Sequence, residues 1–329
     1  MKRKTRIALV TSGGDCQGLN AAIRGVGKAL FQYVDNIEIF GMYDGYRGLI
    51  ENDYKYMEPS DFSGIIATGG TILGTSRQPY IPGKAIVDKD GNDVMPAMLD
   101  TYNRLNLDCV VVLGGNGTQK SAKLLHDAGM NIITLPKTID NDIYGTDETF
   151  GFQSAADIAT NVIDYIHTTA LAHSRIFLVE VMGRDAGWLT LSAGIAGGAD
   201  VILIPEIPYD IESVAETIER RKKKGRTFSI VAVAEGAISK GDKILSEEER
   251  RRQKEANPYS TISYRIADEL GKLTGQEARV TVPGHYQRGG PACPYDRVLA
   301  TRFGTAAARM IMEQKYGYMV GVQGNEIVH

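Results

Sequence analysis

Short aliphatic runs alternate with longer amphipathic stretches along most of the chain. Apolar runs bounded by glycine are typical of buried strands, and the stretches between them have helical periodicity. In the first half the predicted strands are residues 6–11, 37–40, 109–113 and 132–135, and the helices are 19–32, 95–105 and one ending near 128. The second half has predicted strands at 175–181, 201–204, 229–234 and 280–282, and helices at 155–171, 186–197, 211–224, 262–274 and 298–312. This alternation predicts an α/β protein with mostly parallel sheets and helices on both faces.

Glycine or charged residues follow several of these strands, and in open parallel sheets ligands bind beyond the carboxyl ends of the strands. The turns are residues 13–15, 114–118, 137–142 and 182–185. The first two are glycine turns that open a helix, where backbone N–H groups and the helix dipole favour an anion. Neither matches the P-loop or the dinucleotide pattern. Together they predict a phosphate-binding edge of the sheet.

Asp140 and Asp142 stand two residues apart after the strand that ends near residue 135. If the backbone is extended there, both side chains point to one side. Such a pair is either an Asx-turn or cap, or a general base with a second carboxylate that orients or binds metal. Because the pair lies on the same edge as the glycine turns, we favour the catalytic interpretation.

Positively charged residues also follow strands, at Arg184 and in the segment that holds His285 and Arg288, and Arg279 precedes that segment by a few residues. Guanidinium groups suit phosphate monoesters, so the segment is either a sugar-phosphate pocket or a structural turn with solvated cations. Arg184 could clamp a phosphoryl group during its transfer.

The 329 residues are 43% hydrophobic and 23% charged, with a net charge of -3, as in an ordinary globular protein. This balance lacks the basic excess of nucleic-acid-binding proteins, and no apolar run reaches the ~20 residues that span a membrane. The three cysteines, Cys16, Cys109 and Cys293, are odd in number and far apart, which indicates reduced thiols. We therefore expect a cytoplasmic protein that binds neither nucleic acid nor membrane.

Five motifs in order along residues 5–315 resemble the 6-phosphofructokinase family. They are residues 11–15 (TSGGD), 18–24 (GLNAAIR), 138–142 (TIDND), 182–187 (MGRDAG) and 285–290 (HYQRGG). The resemblance implies two Rossmann-like domains with mostly parallel sheets and an active site at strand carboxyl ends between them. Residues 1–145 would bind ATP and Mg²⁺, completed by about 255–300. Residues 146–254 would bind fructose 6-phosphate, completed by about 301–329.

The implied reaction is phosphoryl transfer from ATP-Mg²⁺, or from pyrophosphate, to the 1-hydroxyl of fructose 6-phosphate in glycolysis. Asp140 would be the general base, flanked by Thr138 and Asp142. The N–H of Gly14 and the side chain of Arg184 would stabilise the phosphoryl group during transfer. Such positioning and charge neutralisation carry most of the catalysis of phosphoryl transfer.

The resemblance also implies the binding residues. The donor would contact Gly13, Gly14, Arg77, Gly114, Gly115, Asn116, Gly117, Thr118 and Lys137, with Mg²⁺ held by Asn116 and Asp140. The sugar phosphate would contact Thr138, Asp140, Asp142, Arg175, Met182, Gly183, Arg184, Glu235, Arg279, His285 and Arg288. Arg175 and Arg279 would serve the 6-phosphate of a neighbouring subunit, which implies a homo-oligomer, either a tetramer or a dimer.

The donor site departs from the family pattern at three positions. Gly117 is the residue of ATP-dependent members, Lys137 is that of pyrophosphate-dependent members, and Asn116 replaces an aspartate. A carboxylate at position 117 would repel the α-phosphate of ATP, whereas glycine leaves that space open, so we favour ATP. Because Asn116 offers Mg²⁺ a neutral oxygen only, the metal should depend more on Asp140 and on donor phosphates.

Three other classes of protein remain as alternatives. A lipid or dinucleotide kinase could share the glycine turn but would not need residues 285–290. A nicotinamide oxidoreductase would carry the dinucleotide glycine pattern, which this sequence lacks. A non-catalytic subunit that binds fructose phosphate has Asn116 as its one supporting residue.

Overall fold

The computed structural model describes residues 3–78, 80–81, 83–246, 248–249 and 258–329, which form two compact units. Unit 1 comprises the described residues up to Ser154 together with Arg288–His329. Unit 2 comprises Ala155–Gln287.

The strands of the described residues are short and largely buried. In chain order they are β1 (Thr5–Thr11), β2 (Ile37–Met42), β3 (Tyr54–Met57), β4 (Tyr80–Ile81), β5 (Ala85–Ile86), β6 (Cys109–Gly114), β7 (Ile132–Thr138), β8 (Phe150–Gly151), β9 (Ile176–Val181), β10 (Val201–Leu203), β11 (Ser229–Ala234), β12 (Ala278–Thr281), β13 (Tyr318–Met319), β14 (Gly321–Gln323) and β15 (Glu326–Val328).

The α-helices alternate with these strands. They are α1 (Leu19–Tyr33), α2 (Tyr46–Glu51), α3 (Met95–Arg104), α4 (Asn116–Asp127), α5 (Phe152–His173), α6 (Trp188–Ala196), α7 (Ile211–Lys223), α8 (Lys240–Ile244), α9 (Ile262–Thr274) and α10 (Pro294–Met312). Within the described residues, 3₁₀ helices cover Pro59–Phe62, Ile65–Ala67 and Gly284–Arg288. Among the described residues, none of the helices is both long and apolar enough to cross a membrane.

Each unit contains one main sheet, and both sheets are mostly parallel. In unit 1 the strand order is β13-β7-β6-β1-β2-β3, with β8 added beside β7, and β3 runs antiparallel to β2. In unit 2 the order is β10-β11-β9-β12, and all pairs are parallel. Central strands such as β6 and β9 are buried along their whole length, as expected where both faces are covered. The predicted α/β class is confirmed.

The C-terminal helix α10 packs closely on α1 because both helices carry glycine at their contact. A Cβ at Gly25 would lie 2.8 Å from the carbonyl oxygen of Thr301, and one at Gly304 would overlap the carbonyl oxygen of Ala22. This contact holds α10 in unit 1, and β12 pairs with β9 in unit 2. The compact units therefore divide the chain differently from the predicted domain bounds, whereas the ligand of each unit stays a prediction.

Strand β7 continues beyond its predicted end at residue 135. Pro136 pairs with Gly114 of β6, and the short strand β8 then pairs with Lys137 and Thr138. Because a proline lacks only its N–H, a strand can continue past it where that side needs no donor. As a result, Lys137 lies within a buried strand instead of the following loop.

Candidate active site

The glycine corner after β1 is tied by its backbone to the loop that precedes Arg77. Gly13 has a φ of 90°, which glycine adopts without strain. Its N–H donates to the carbonyl oxygen of Ser76 (2.9 Å), and its own carbonyl accepts from Thr75 Oγ1 (2.8 Å). These bonds bring two predicted donor-binding segments together within unit 1, while the side chain of Arg77 is exposed.

Two cations flank Gly14. Lys137 Nζ donates to its carbonyl oxygen, and a Cβ at Gly14 would lie 2.5 Å from Nη1 of Arg288. Lys137 is only 4% exposed, and burial, assisted by the charge of Arg288, lowers its pKa below the ordinary lysine value. The guanidinium of Arg288 lies beside the glycine corner, and its assignment to the sugar phosphate stays a prediction. This concentration of positive charge suits an anion.

The buried thiol of Cys16 lies next to this corner and makes no reactive nucleophile. Burial raises its pKa to about 12, and Sγ lies 3.5 Å from the carbonyl oxygen of Phe150. Cys109 is also buried, and all three cysteines are free thiols. Cys16 therefore acts as a packing residue beneath the loop.

Helix α4 begins at the second glycine turn and leaves its N-terminal N–H groups without a side-chain cap. The side chain of Thr118 fills the space over Gly114. Among the described residues, a Cβ at Gly117 would by contrast meet only Cε1 of Tyr80, at 3.7 Å, which is ordinary van der Waals contact. The first turn of α4 is therefore open to a ligand at Gly117.

The turn that carries Asp140 and Asp142 is not extended, so the condition under which both side chains would point to one side is not met. Asn141 between them adopts a left-handed backbone with a φ of 50°. The N–H of Asp140 donates to Thr138 Oγ1 (3.1 Å), which begins a tight turn. The two carboxylates therefore differ in their surroundings, and Asp142 is the more exposed of the two.

Asn116 contacts Asp142 directly. Its amide nitrogen donates to Asp142 Oδ2 (2.7 Å) and to the carbonyl oxygen of Asp142 (3.2 Å). An aspartate at position 116 would have no donor for these bonds, so the contact explains the unusual residue. Within the described part of the chain, His, Cys, Asp and Glu side chains form no cluster of three or more that could hold a metal ion. The amide oxygen of Asn116 and the carboxylates of the turn are hard oxygen donors of the kind Mg²⁺ takes alongside phosphates.

In unit 2 the carboxylate of Glu235 holds the turn after β9. Oε1 of Glu235 accepts from the N–H groups of Gly183 (3.3 Å) and Arg184 (2.6 Å). Arg184 has a φ of 53°, and its side chain is 84% exposed. Met182 is fixed separately, because its N–H donates to Oε1 of the buried Gln287 (3.3 Å).

Arg175 and Arg279 share one carboxylate in unit 2, and their predicted role at the 6-phosphate of a neighbouring subunit stays a prediction. Arg175 Nε lies 2.5 Å from Glu277 Oε2, and Arg279 pairs with Glu277 Oε1. The side chain of Arg279 is 57% exposed, and His285 is exposed as well. The two arginines are therefore neighbours, held by a glutamate that sequence reasoning did not single out.

Sequence reasoning missed the residues that hold these turns, namely Thr75, Ser76, Asn141, Thr149, Glu277 and Gln287. Asn141 and Gln287 lie inside the recognised motifs, so their positions were a usable signal. Thr149 and Glu277 lie in no motif, and only the fold brings them to the site.

A family model described as Phosphofructokinase matches residues 6–311 of the chain. The ATP-dependent 6-phosphofructokinase of Spirochaeta thermophila is 54% identical, over 97% of this chain and 88% of that protein. The ATP-dependent 6-phosphofructokinase of Propionibacterium freudenreichii is 48% identical, over 97% of this chain and 90% of that protein.

Solved structures of similar proteins share the fold. The crystal structure of Pichia pastoris phosphofructokinase in the T-state has a TM-score of 0.85 at 34% identity, covering 100% of this chain and 35% of that one. A pyrophosphate-dependent phosphofructokinase from Marinobacter aquaeolei has a TM-score of 0.80 at 23% identity, covering 98% of this chain and 82% of that one. At that identity the likeness concerns the fold alone.

Proposed function

The chain belongs to the phosphofructokinase family, and we propose that it is an ATP-dependent 6-phosphofructokinase. It transfers the terminal phosphoryl group of ATP to the 1-hydroxyl of fructose 6-phosphate, forming fructose 1,6-bisphosphate in glycolysis. The relatives at 54% and 48% identity carry the name of this ATP-dependent enzyme.

The open first turn of α4 is the observation that carries ATP as the donor. Of the residues that the structure describes, only Tyr80 approaches the space over Gly117, so the backbone can approach the phosphates of a nucleotide. Lys137, the feature typical of pyrophosphate enzymes, donates to the carbonyl oxygen of Gly14 and so stabilises the glycine corner. Its presence is therefore compatible with ATP as the donor.

Asp140 serves as the general base that takes the proton of the sugar 1-hydroxyl as the hydroxyl attacks the terminal phosphorus of ATP. Thr138 holds the turn through its bond to the N–H of Asp140. The N–H of Gly14 and the guanidinium of Arg184 stabilise the charge on the phosphoryl oxygens during transfer. Positioning and charge neutralisation together supply the rate enhancement of such reactions.

Mg²⁺ fits the oxygen donors of Asn116, Asp140 and Asp142 together with the donor phosphates. When bound, it neutralises phosphate charge. The amide nitrogen of Asn116 donates to Asp142, which would leave the amide oxygen of Asn116 as the atom that holds the metal.

The sugar phosphate is bound by Met182, Gly183, Arg184, Glu235 and His285, with Arg288 available to the 6-phosphate or to the glycine corner. Arg175 and Arg279 act on the 6-phosphate bound to a second copy of the chain. This role makes the functional protein a homo-oligomer, and the shared Glu277 keeps the two guanidinium groups together.

A donor-substitution assay tests the proposal. Wild type should form fructose 1,6-bisphosphate with ATP and should be at least tenfold less active with pyrophosphate. Gly117→Ala adds a methyl in ordinary contact with Tyr80 and should retain ATP activity, whereas Gly117→Asp should lose it. Activity with pyrophosphate alone, or equal ATP activity in both variants, would contradict the proposal.

A further inference from the structure

The turn that carries Asp140 follows the end of β7 and belongs to no regular element. A general base acts only within hydrogen-bond reach of the proton it takes, so the position of such a turn needs an external support. Side-chain bonds from a nearby part of the chain provide it.

Asn141 is the first support. Its Oδ1 accepts from the backbone N–H of Thr149 (2.9 Å), and its Nδ2 donates to the carbonyl oxygen of Asp147 (3.1 Å). Both polar atoms of the Asn141 side chain thereby stabilise the left-handed backbone between Asp140 and Asp142.

Thr149 is the second support. Its Oγ1 lies 2.9 Å from the carbonyl oxygen of Thr138 and 3.3 Å from Asn141 Oδ1. Thr149 is only 1% exposed, so water does not replace these bonds when the hydroxyl is removed. One hydroxyl thus contacts the residues on both sides of Asp140.

The segment that carries Thr149 is itself anchored in the core of unit 1. Strand β8 follows directly and pairs with Lys137 and Thr138. Beyond it, Ser154 donates from both its N–H (2.8 Å) and its Oγ (2.6 Å) to Oδ2 of the fully buried Asp296. The support is therefore connected to the start of α10.

We propose that Thr149 and Asn141 are positioning residues, which set the carboxylate of Asp140 at the geometry that phosphoryl transfer needs. The inference rests on the proposed function. A displacement of about 1 Å can lower turnover by about a hundredfold without removing any group that binds substrate. Loss of the support should therefore appear in kcat, with little change in KM.

Thr149→Val removes the hydroxyl at nearly constant volume, and Thr149→Ser keeps it. We expect kcat of Thr149→Val to fall about tenfold to a hundredfold, with KM for ATP and for fructose 6-phosphate within about twofold of wild type. Thr149→Ser should restore kcat to within about threefold of wild type. Thr301→Val is the matched control, because it removes a hydroxyl bonded to the carbonyl oxygen of Arg297 inside α10.

Asn141→Gly provides an independent variant, since glycine tolerates the left-handed backbone but lacks the amide. It should reproduce the low kcat. If Thr149→Val does not fold, this variant alone decides whether the support of the Asp140 turn affects turnover. Unchanged kcat in the folded variants, equal losses in the valine and serine variants, or a loss confined to KM would overturn the inference. A wild-type chain that forms no fructose 1,6-bisphosphate would refute the proposed function itself, before any variant is compared.

Discussion

The two turns to which we assign the chemistry are built in opposite ways. In unit 1 the turn with Asp140 is held by the side chains of Asn116, Asn141 and Thr149, and the neighbouring cation, Lys137, is 4% exposed. In unit 2 the turn with Arg184 is held by Glu235, and the side chain of Arg184 is 84% exposed. One turn is buried at its base, and the other carries an exposed guanidinium that pairs with the carboxylate of Asp185 (3.5 Å).

The difference matches what each group must do. A general base needs a defined position within about 3 Å of the atom that carries the proton, whereas a guanidinium on a long side chain can adjust to a phosphate that it neutralises. An exposed cation also keeps its hydration until ligand arrives, so it lowers the stability of the free protein little. The comparison predicts that substitutions in the two turns change turnover and the free energy of unfolding to different extents.

The largest effect is expected for Asp140→Ser. Removal of a general base lowers turnover by about a hundredfold to ten-thousandfold, because no other group takes the proton as the bond forms. Binding of fructose 6-phosphate, measured by calorimetry, should remain close to wild type. Near-normal turnover would remove Asp140 from the base role.

Arg184→Ala should have the next largest effect, and on activity alone. Loss of a cation that stabilises the transferred group should lower kcat by about a hundredfold. Because the side chain of Arg184 is exposed, the free energy of unfolding of the protein should change by less than about 0.5 kcal/mol. Urea denaturation and initial rates on the same preparation separate the two quantities, and a large loss of stability would show that Arg184 is structural.

Much of this contrast could be predicted from the sequence, because it depends on local patterns. The apolar runs located β1, β6 and β9, and the motifs placed Asp140 and Arg184 directly after strands. Residues 140–142 are not extended, because the side chain of Asn141 stabilises a left-handed turn. The residue types alone do not reveal the geometry of this turn.

The supports of each turn lay beyond sequence reasoning for a different reason. The contact of Arg288 with Gly14 joins residues that are far apart in the chain, as does that of Glu235 with Arg184. The bond from Asn116 to Asp142 likewise exists only because β6 and β7 are neighbours. Such pairings follow from strand order, which periodicity does not specify.

Lys137→Met tests the buried cation through its pH dependence. Burial lowers the pKa of Lys137 in the folded state below the ordinary 10.5, so the unfolded chain binds more protons between those two values. Stability of wild type relative to the variant should therefore rise with pH in that window, by no more than about 1.4 kcal/mol per pH unit. Denaturation curves from pH 7 to 10.5 measure it, and a flat difference would mean that Lys137 keeps its ordinary pKa.

Asn116→Asp should have the smallest effect and should depend on the metal. The substitution replaces an amide that donates to Asp142 with a second carboxylate, so one hydrogen bond is lost and two negative charges face each other. Without divalent metal we expect the free energy of unfolding to fall by about 1 kcal/mol. Added Mg²⁺ should recover most of this loss by binding between the carboxylates, and wild type should respond less. Asn161→Asp, at an exposed position of α5, is the matched control and should show neither effect. If Asn116→Asp is as stable as wild type in chelator, the amide of Asn116 does not hold the turn with Asp140. The contrast between this turn and the turn with Arg184 would then depend on Asn141 and Thr149 alone.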